Sequence, residues 1–511
     1  MRQLSRPSFV GPPQRGLVIL TIVLSSLLGP SLVVRAANPF VDPNTGADTT
    51  MCGATLTPCR TIAYTIANIA HDGDTIYLAA ATFSEHDITI GHSVTIIGQG
   101  IGASFIDGGA AGRVIHVPAG VAAKISLTTI QNGIPDPSSF GAGIYNEGTL
   151  TLSGSKVSGN NNPISPATVD GGGINNHGML TIEGSVVSNN IAHDLGGGIF
   201  TSGGTVTVKG SSITGNVSGH GGGGLQSNGD HVTVSKSTLD GNSGDQGGGI
   251  LNNVGGVLFV TDSTVSNNSA SDRGGGIANY NTSQATLTGV TVSGSTAGTA
   301  GGGIYNTSNA QTTVTNSTIS GNSAPNGGGI ADDFSGTLTS INTTVAGNST
   351  GIMQTGAGTT LRNTLLANTG ANCIGAIATG GYNLSSDTTC ITLSAAAHDL
   401  TGVNPRLGAL ADNGGPTQTH ALLAASPAID RIPSVGGCQA GVAADQRGVA
   451  RPQPVGGSCD IGAYEYVPPS LIPGLRPSGQ TSGLPPQPQP QPRPTVVSAL
   501  LSPDPIPAPR P

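Results

Sequence analysis

A short Gly-x-Gly-apolar element recurs through the middle of this chain at nearly constant spacing. Its apolar residue returns every 25 to 30 positions, at Ile144, Ile174, Ile199, Leu225, Ile250, Ile277, Ile304 and Ile330. Repeats of this length are typical of solenoids, in which each repeat is one supersecondary unit that packs only on its neighbours. The spacing therefore argues against an ordinary compact domain and favours a stack of similar turns.

Each repeat also contains two strand-like elements. Segments such as Leu150-Thr151-Leu152 alternate apolar residues with Thr, which predicts short, half-buried strands. A second element ends in an Asn that recurs with the same period, except where Ser replaces it once: Asn160, Asn190, Asn216, Asn242, Asn268, Ser295, Asn322 and Asn348. Short strands cannot enclose a core alone, but strands stacked on their counterparts one repeat later can.

The repeat therefore predicts an all-β fold, a single-stranded right-handed parallel β-helix of about 12 coils. Gly supplies turn conformations that other residues adopt only at a cost. A column of Asn side chains is expected to form hydrogen bonds along the stack. A second such column is expected at Asn146, Asn176, Asn252, Asn279 and Asn306.

The termini differ in composition from the repeats. Residues 1–37 begin with a segment that contains Arg2, Arg6 and Arg15, continue with the apolar run from Leu17 to Leu28 and end in Val34-Arg35-Ala36-Ala37, which is the order of a secretory signal peptide. An uncleaved membrane anchor is the alternative, although the run is short for a bilayer span. We also expect no stable transmembrane span after signal cleavage, because no apolar run of membrane length follows Tyr466.

These features divide the chain into five parts. We predict a signal peptide at 1–37, an N-terminal cap with a short helix at 38–73, the β-helix at 74–390, an irregular C-terminal cap at 391–466, and a disordered Pro-rich tail at 467–511. The two caps are expected to cover the strand edges that an open solenoid leaves at its ends.

The cysteine pairs and the net charge indicate the cellular location of the protein and argue against nucleic acid as a partner. Six Cys form three close pairs, for which disulfides are favoured over metal ligation: Cys52 with Cys59, Cys373 with Cys390, and Cys438 with Cys459. The chain has 19 Lys and Arg against 27 Asp and Glu, a net charge of −8. Nucleic acid is not an expected partner, since phosphate binding relies on clustered basic residues. We predict a secreted or cell-surface protein.

Several segments resemble known β-helix families. Pro58-Cys59-Arg60-Thr61-Ile62 and Gly73-Asp74-Thr75-Ile76 resemble the N-terminal part of secreted bacterial proteins of the pectin-lyase-like superfamily. The GGGI and S-G-N elements are similar to polymorphic outer-membrane-protein repeats. Residues 404–466, with Asp445-Gln446-Arg447-Gly448 and the run from Cys459 to Tyr466, resemble the choice-of-anchor Q region. These resemblances imply a surface or secreted protein, and they imply no particular reaction.

Five polar residues lie four or five positions before the repeat Ile or Leu and are candidates for one binding column: Asp170, Asp194, His220, Asp245 and Asp272. Carboxylates on adjacent coils would be about 5 Å apart, close to the separation in retaining glycosidases. Asp before Gly is also a common turn residue, and this structural interpretation is preferred over Ca²⁺ binding or catalysis. We therefore assign no catalytic residue and no metal ligand, and we expect no cofactor, with Ca²⁺ as the alternative.

Aromatic residues that could stack on sugars are few, since the chain has no Trp. Tyr145, Phe200 and Tyr305 directly follow the repeat Ile, and we expect them to be ordinary exposed strand residues rather than a binding surface. The leading functional hypothesis is a non-enzymatic adhesion or matrix role, with a polysaccharide or another surface component as partner. The alternative is a polysaccharide lyase or glycoside hydrolase, because one fold hosts many functions.

Overall fold

The computed structural model describes residues 38–136, 140–162, 170–356, 358–434, 438 and 442–468. The predicted signal peptide and positions 469–511 of the predicted tail lie outside these residues. None of the helices in the described ranges is both long enough and apolar enough to cross a membrane.

The described chain winds through three long parallel sheets and one short one. The first sheet contains, in spatial order, Phe40–Val41, Thr75–Leu78, Thr95–Ile97, Ala122–Ser126, Thr149–Ser153, Met179–Glu183, Thr205–Lys209, His231–Ser235, Val257–Thr261, Gln284–Thr288, Gln311–Thr315, Thr337–Ile341, Thr359–Arg362 and Ala378–Thr379. The second contains Ile88–Thr89, Ile115–Val117, Ile144–Asn146, Ile174–Asn176, Ile199–Ser202, Leu225–Asn228, Ile250–Asn253, Ile277–Asn279, Ile304–Asn306, Ile330–Asp332, Ile352–Gln354 and Cys373–Ile374.

The third sheet lies between the first and the fourth along the chain. It contains Thr82–Ser84, Phe105–Asp107, Thr129–Gln131, Lys156–Ser158, Val186–Ser188, Ser212–Thr214, Thr238–Asp240, Thr264–Ser266, Thr291–Ser293, Thr318–Ser320, Thr344–Ala346, Leu365–Ala367, Leu384–Ser385 and Leu400–Thr401. The fourth contains Asn161–Asn162, Ile191–Ala192, Val217–Ser218, Ser243–Gln246, Ser269–Arg273 and Thr296–Ala297. The other elements are a helix at Ile62–Asn68, a 3-10 turn at Ala395–Ala397, and an antiparallel hairpin of Leu407–Ala411 with Thr419–Leu422.

The strand register confirms the predicted parallel β-helix. Ile199 pairs with Leu225, which pairs with Ile250 one coil later, and all three side chains are fully buried. Each sheet places every second side chain inside, so the inward residues of successive coils form continuous apolar columns. These columns make one elongated core that runs through the described coils.

Glycine is needed where neighbouring coils approach most closely. Gly247 has a φ of +65°, a conformation that favours glycine. A Cβ added to Gly249 would lie 2.6 Å from the carbonyl oxygen of Gly276 in the next coil. The glycines of the GGG element therefore have two roles. They allow the turn conformation, and they allow a close contact between the backbones of neighbouring coils that a larger side chain would block.

The predicted Asn columns are present and buried. In the first, the Asn190 side-chain amide donates to Asn216 Oδ1 at 3.0 Å, and Asn216 donates to Asn242 Oδ1 at 3.0 Å. In the second, Asn252 donates to Asn279 Oδ1 at 2.9 Å. These bonds satisfy turn groups that the strand ladders leave free. The sequence analysis missed a third column, of Ser hydroxyls that accept backbone N–H bonds across coils: Ser185, Ser211, Ser237, Ser263 and Ser317.

The N-terminal helix contacts the first coils of the stack. Thr61 is its N-cap, and the Thr61 hydroxyl accepts a hydrogen bond from the Tyr64 N–H. The Glu85 carboxylate accepts the N–H groups of Ile62 and Ala63 at 2.8 and 2.9 Å, which satisfies two further donors of the first turn. Ile62 is buried against the main core, so the helix covers apolar surface at this end.

The C-terminal segment was expected to cover the last coil, and the structure places much of it elsewhere. Cys390 and Leu393 close the end of the interior. Residues after 404 instead run back along the outer side of the third sheet, where Gln446 Nε2 donates to Thr291 Oγ1 at 2.9 Å. The reason is that Leu365 and Leu384 point outward there and need an apolar cover.

Three disulfides join the cysteines that the sequence paired: Cys52–Cys59, Cys373–Cys390 and Cys438–Cys459. Two buried ion pairs also tie the C-terminal segment together. Arg447 is 2.7 Å from Asp445, and Arg451 is 2.9 Å from Glu465. Because each buried charge has a partner, the segment can lose solvent contact without an unpaired charge.

Candidate functional site

The predicted polar column is only partly continuous. The His220 N–H donates to the Asp194 carbonyl at 3.0 Å, whereas the Asp245 N–H donates to the carbonyl of Gly221, one residue after His220, so these residues lie on successive coils but not in strict register. Asp170 is displaced by one residue, since Gly171 pairs with Leu195 rather than with Asp194. The structure therefore brings Asp194, His220, Asp245 and Asp272 to the same turn of successive coils, with offsets in register at Asp170 and between His220 and Asp245; we call this set the polar row.

Members of this row have different partners. Asp245 accepts a hydrogen bond from the Ser271 hydroxyl at 2.6 Å, and Asp272 lies 3.6 Å from Arg273. His220 lies 5.9 Å from His193, ring to ring. Within the described ranges no group of three or more His, Cys, Asp or Glu is placed to hold a metal ion. Ca²⁺ binding at this row stays a prediction.

Asp170 is the unusual carboxyl group of the set. Burial, together with the negative charge of Asp194, raises the pKa of Asp170 to about 6. Its Oδ1 atom is buried without a hydrogen-bond partner among the described residues. The Asp170 carboxyl group can therefore be protonated near neutral pH. Because it is largely buried, it is poorly accessible to a large substrate.

The three aromatic residues after the repeat Ile do not share one environment. Phe200 is 5% exposed and Tyr305 is fully buried, so the expectation that they are exposed is wrong for both. Side chains from other coils cover the Tyr305 ring, which packs in one cluster with Ala331, Met353 and the partly buried Tyr280. Only Tyr145 is half-exposed.

Tyr145 is the centre of a dense side-chain group that we call the Tyr145 cluster. The Arg113 guanidinium lies 4.9 Å from the centroid of its ring. His116 stacks on the same ring at 5.3 Å, and His177 meets its edge at 5.6 Å. The cluster is completed by Phe140 at 6.3 Å and by Glu147. Three successive strands of the second sheet, starting with Ile115–Val117, position these residues.

Hydrogen bonds fix the polar members of the Tyr145 cluster. His116 Nε2 lies 2.8 Å from Glu147 Oε2, and this bond lowers the pKa of the Glu147 carboxyl. The Arg113 Nε–H donates to the Phe140 carbonyl at 2.8 Å, which holds the guanidinium over the aromatic ring. Burial raises the pKa of the Tyr145 hydroxyl, with the Glu147 charge as a further cause. The cluster thus combines a fixed cation, an aromatic face and a carboxylate.

The sequence analysis missed every member of the cluster except Tyr145. Arg113, His116, Glu147 and His177 form no motif along the chain, because they lie on different coils. Their one signal is that His116 precedes Glu147 by 31 residues, about one coil. Aligning the sequence coil by coil would place these residues side by side.

Chemically, this arrangement suits a sugar better than it suits a metal. A guanidinium bonds a carboxylate through two parallel N–H donors, and the partly exposed aromatic side chains around Arg113 offer apolar contact to a sugar ring. The His116–Glu147 pair adds a hydrogen-bond acceptor for hydroxyl groups.

Comparisons with known proteins do not identify a family. No family model and no curated protein matches the chain. Among solved structures, pectate lyase Pel9A is 14% identical with a TM-score of 0.38, covering 85% of this chain and 98% of that one. The A-module of the mannuronan C-5 epimerase AlgE6 of Azotobacter vinelandii is 14% identical with a TM-score of 0.35, covering 61% of this chain and 90% of that one. At these scores the similarities carry no argument about function, and the polymorphic-repeat and choice-of-anchor resemblances stay predictions.

Proposed function

We propose that the protein binds an acidic polysaccharide on the surface formed by the Tyr145 cluster. The observation that carries this proposal is the Arg113 guanidinium held 4.9 Å over a half-exposed Tyr145 ring. The terminal N–H groups of the Arg113 guanidinium, fixed at a partly exposed aromatic ring, match a sugar that carries a carboxylate.

We further propose that this binding takes place outside the cytosol and serves adhesion or matrix contact. Three disulfides support an oxidising compartment, since disulfides rarely persist in the cytosol. The net charge of −8 keeps copies of the protein apart in solution.

A second candidate function is cleavage of the same polysaccharide by β-elimination. It is favoured by the His116–Glu147 hydrogen bond next to Tyr145 and Arg113. In such a step, a base such as His116 takes the proton α to the sugar carboxylate. The C–O bond to the next sugar then breaks, a C=C bond forms, and the Tyr145 hydroxyl protonates the leaving oxygen. Arg113 would stabilise the charge that develops on the carboxylate.

Binding measurements on purified protein test the first proposal. Polygalacturonate, alginate and a neutral galactan are titrated into wild type, Tyr145→Ala and Arg113→Gln. We expect the two variants to bind the acidic polymers about tenfold more weakly, since an aromatic contact or a charge-assisted bond contributes about that factor. Phe259→Ala is the matched control, because Phe259 is 42% exposed on the first sheet. If Tyr145→Ala binds like Phe259→Ala, the proposal is wrong.

Product analysis separates binding from cleavage. The same polymers are incubated with wild type and with His116→Gln, and the new C=C bond is followed by ultraviolet absorbance. Product from wild type but not from His116→Gln, with binding retained, would establish the lyase. Binding by wild type without product would eliminate it and leave the adhesion role.

A further inference from the structure

An open cavity of about 400 Å³ lies at the C-terminal end of the stack. Tyr382, His398, Asp430 and Arg431 line it, together with the buried Asp399. From the coil of the Tyr145 cluster to the coil of Tyr382, the third sheet makes nine strand-to-strand steps. At about 4.8 Å per step, the two places are about 43 Å apart along the rod. The cavity is therefore a separate site.

Two aromatic rings form one wall of this cavity. Tyr382 and His398 stack with their centroids 4.9 Å apart and their planes 12° from parallel. Both residues have left-handed backbone conformations, with φ of +57° and +61°. The Tyr382 N–H donates to the Ala397 carbonyl at 3.0 Å, which ties the two segments together. Such conformations are costly for bulky residues and cluster at ligand sites.

Two charged residues stand beside the ring pair. Arg431 is exposed and makes no ion pair or side-chain hydrogen bond with any residue that the structure describes. Asp430 is also exposed and left-handed, with a φ of +55°. Its backbone N–H donates to Asp460 Oδ1 at 2.8 Å, which fixes the turn that presents both side chains. The cavity thus has a cation and a carboxylate whose side chains are free to meet a ligand.

Asp399 has a different role from these groups. Its carboxylate accepts hydrogen bonds from the Thr379 hydroxyl at 2.8 Å and from the N–H groups of Asn383 and Ser394. Every strong acceptor position is thereby used within the protein. Asp399 builds the floor of the cavity, and recognition falls to the other four side chains.

We propose that this cavity binds a single sugar unit that carries a carboxylate, a hexuronate. The apolar face of the sugar ring packs on the Tyr382–His398 pair, Arg431 binds the carboxylate through two N–H donors, and Asp430 accepts from the hydroxyl groups. The volume of about 400 Å³ is in the range of small-ligand sites. The inference does not depend on the Tyr145 cluster, because no residue is shared between the two sites.

Calorimetric titration with monosaccharides tests this proposal. The probes are galacturonate, its neutral counterpart galactose, and inorganic phosphate, each added to the full chain. We expect galacturonate to bind at least about tenfold more tightly than galactose, since a charge-assisted bond contributes about that factor. Arg431→Gln should remove this preference, and His398→Asn should weaken both sugars while keeping a residue that tolerates the left-handed backbone.

Arg406→Gln is the matched control, because Arg406 is also an exposed Arg and lies outside the cavity. It should leave galacturonate binding within about twofold of wild type. The proposal is overturned if galacturonate binds no better than galactose, or if Arg431→Gln behaves like Arg406→Gln. Phosphate binding as tight as galacturonate binding would also overturn it, in favour of a general anion site.

Discussion

Replacing Asn242 by Ala tests whether the Asn column stabilises the stack. The Asn242 side chain is 1% exposed and takes part in four hydrogen bonds. Its amide donates to the Ile213 carbonyl at 2.9 Å and to Asn268 Oδ1 at 3.0 Å. Its Oδ1 accepts from the backbone N–H and the side-chain amide of Asn216, both at 3.0 Å.

The size of the effect follows from which groups lose a partner. Asn216 Nδ2 keeps its bond to the Val187 carbonyl, and Asn268 Oδ1 keeps the backbone N–H of residue 242. The Asn216 backbone N–H and the Ile213 carbonyl each lose a bond inside the protein. At about 1 to 3 kcal/mol for each of these two buried groups left unsatisfied, Asn242→Ala should lower the free energy of unfolding by roughly 2 to 6 kcal/mol.

Urea unfolding followed by circular dichroism measures this change. Asn242→Ser is the internal control, because the chain already has Ser295 in the same column, where the Ser295 hydroxyl accepts from the Asn268 N–H at 3.3 Å. Ser should therefore recover part of the loss. A loss below about 0.5 kcal/mol for Asn242→Ala, the scatter of a surface substitution, would refute the reasoning that the column is a stabilising feature.

Other substitutions test the close packing of the coils and the buried carboxyl. Gly249→Ala would place a Cβ 2.6 Å from the Gly276 carbonyl oxygen, so we expect a loss of about 3 kcal/mol or more in urea unfolding. Gly184→Ala, with open space around the new methyl group and a φ of +53°, should cost only about 1 kcal/mol, and equal costs would contradict the packing argument. Asp170 has a folded pKa of about 6, above its ordinary value of 3.8, so the folded state binds the proton more tightly. Its contribution to stability is therefore present below about pH 4 and lost as the pH rises through about 6. Asp170→Asn should flatten this pH dependence in thermal melts, and an unchanged slope would show that Asp170 is not the cause.

Much of the fold follows directly from spacing. The period of the Gly-x-Gly-Ile element, the alternating strands and the recurring Asn predict coils whose equivalent residues lie above one another. Pairs such as Ile144 with Ile174 confirm this. The fold of a solenoid can be predicted from its sequence period because each coil contacts only its neighbours. The period of the sequence is therefore also the period of the structure.

The residues of the candidate sites could not be predicted from the sequence in this way. The rings of Phe200 and Tyr305 were expected to be exposed but are buried, since nothing in the local sequence shows which side chains of neighbouring coils pack against them. The cluster around Tyr145 combines residues from three coils, and the cavity at Tyr382 combines residues almost 50 positions apart. Neither combination leaves a motif along the chain.

The sequence alone determined the coil length, the direction of the strands, the inward residues and the three cysteine pairs, because these depend on local periodicity and proximity. The tertiary structure decided which partners the outward-facing side chains contact. Outward side chains meet partners from other coils and from the C-terminal segment, whose path along the third sheet is set by the apolar cover that Leu365 and Leu384 require. Such contacts depend on how distant segments are brought together, and no spacing within one repeat encodes them.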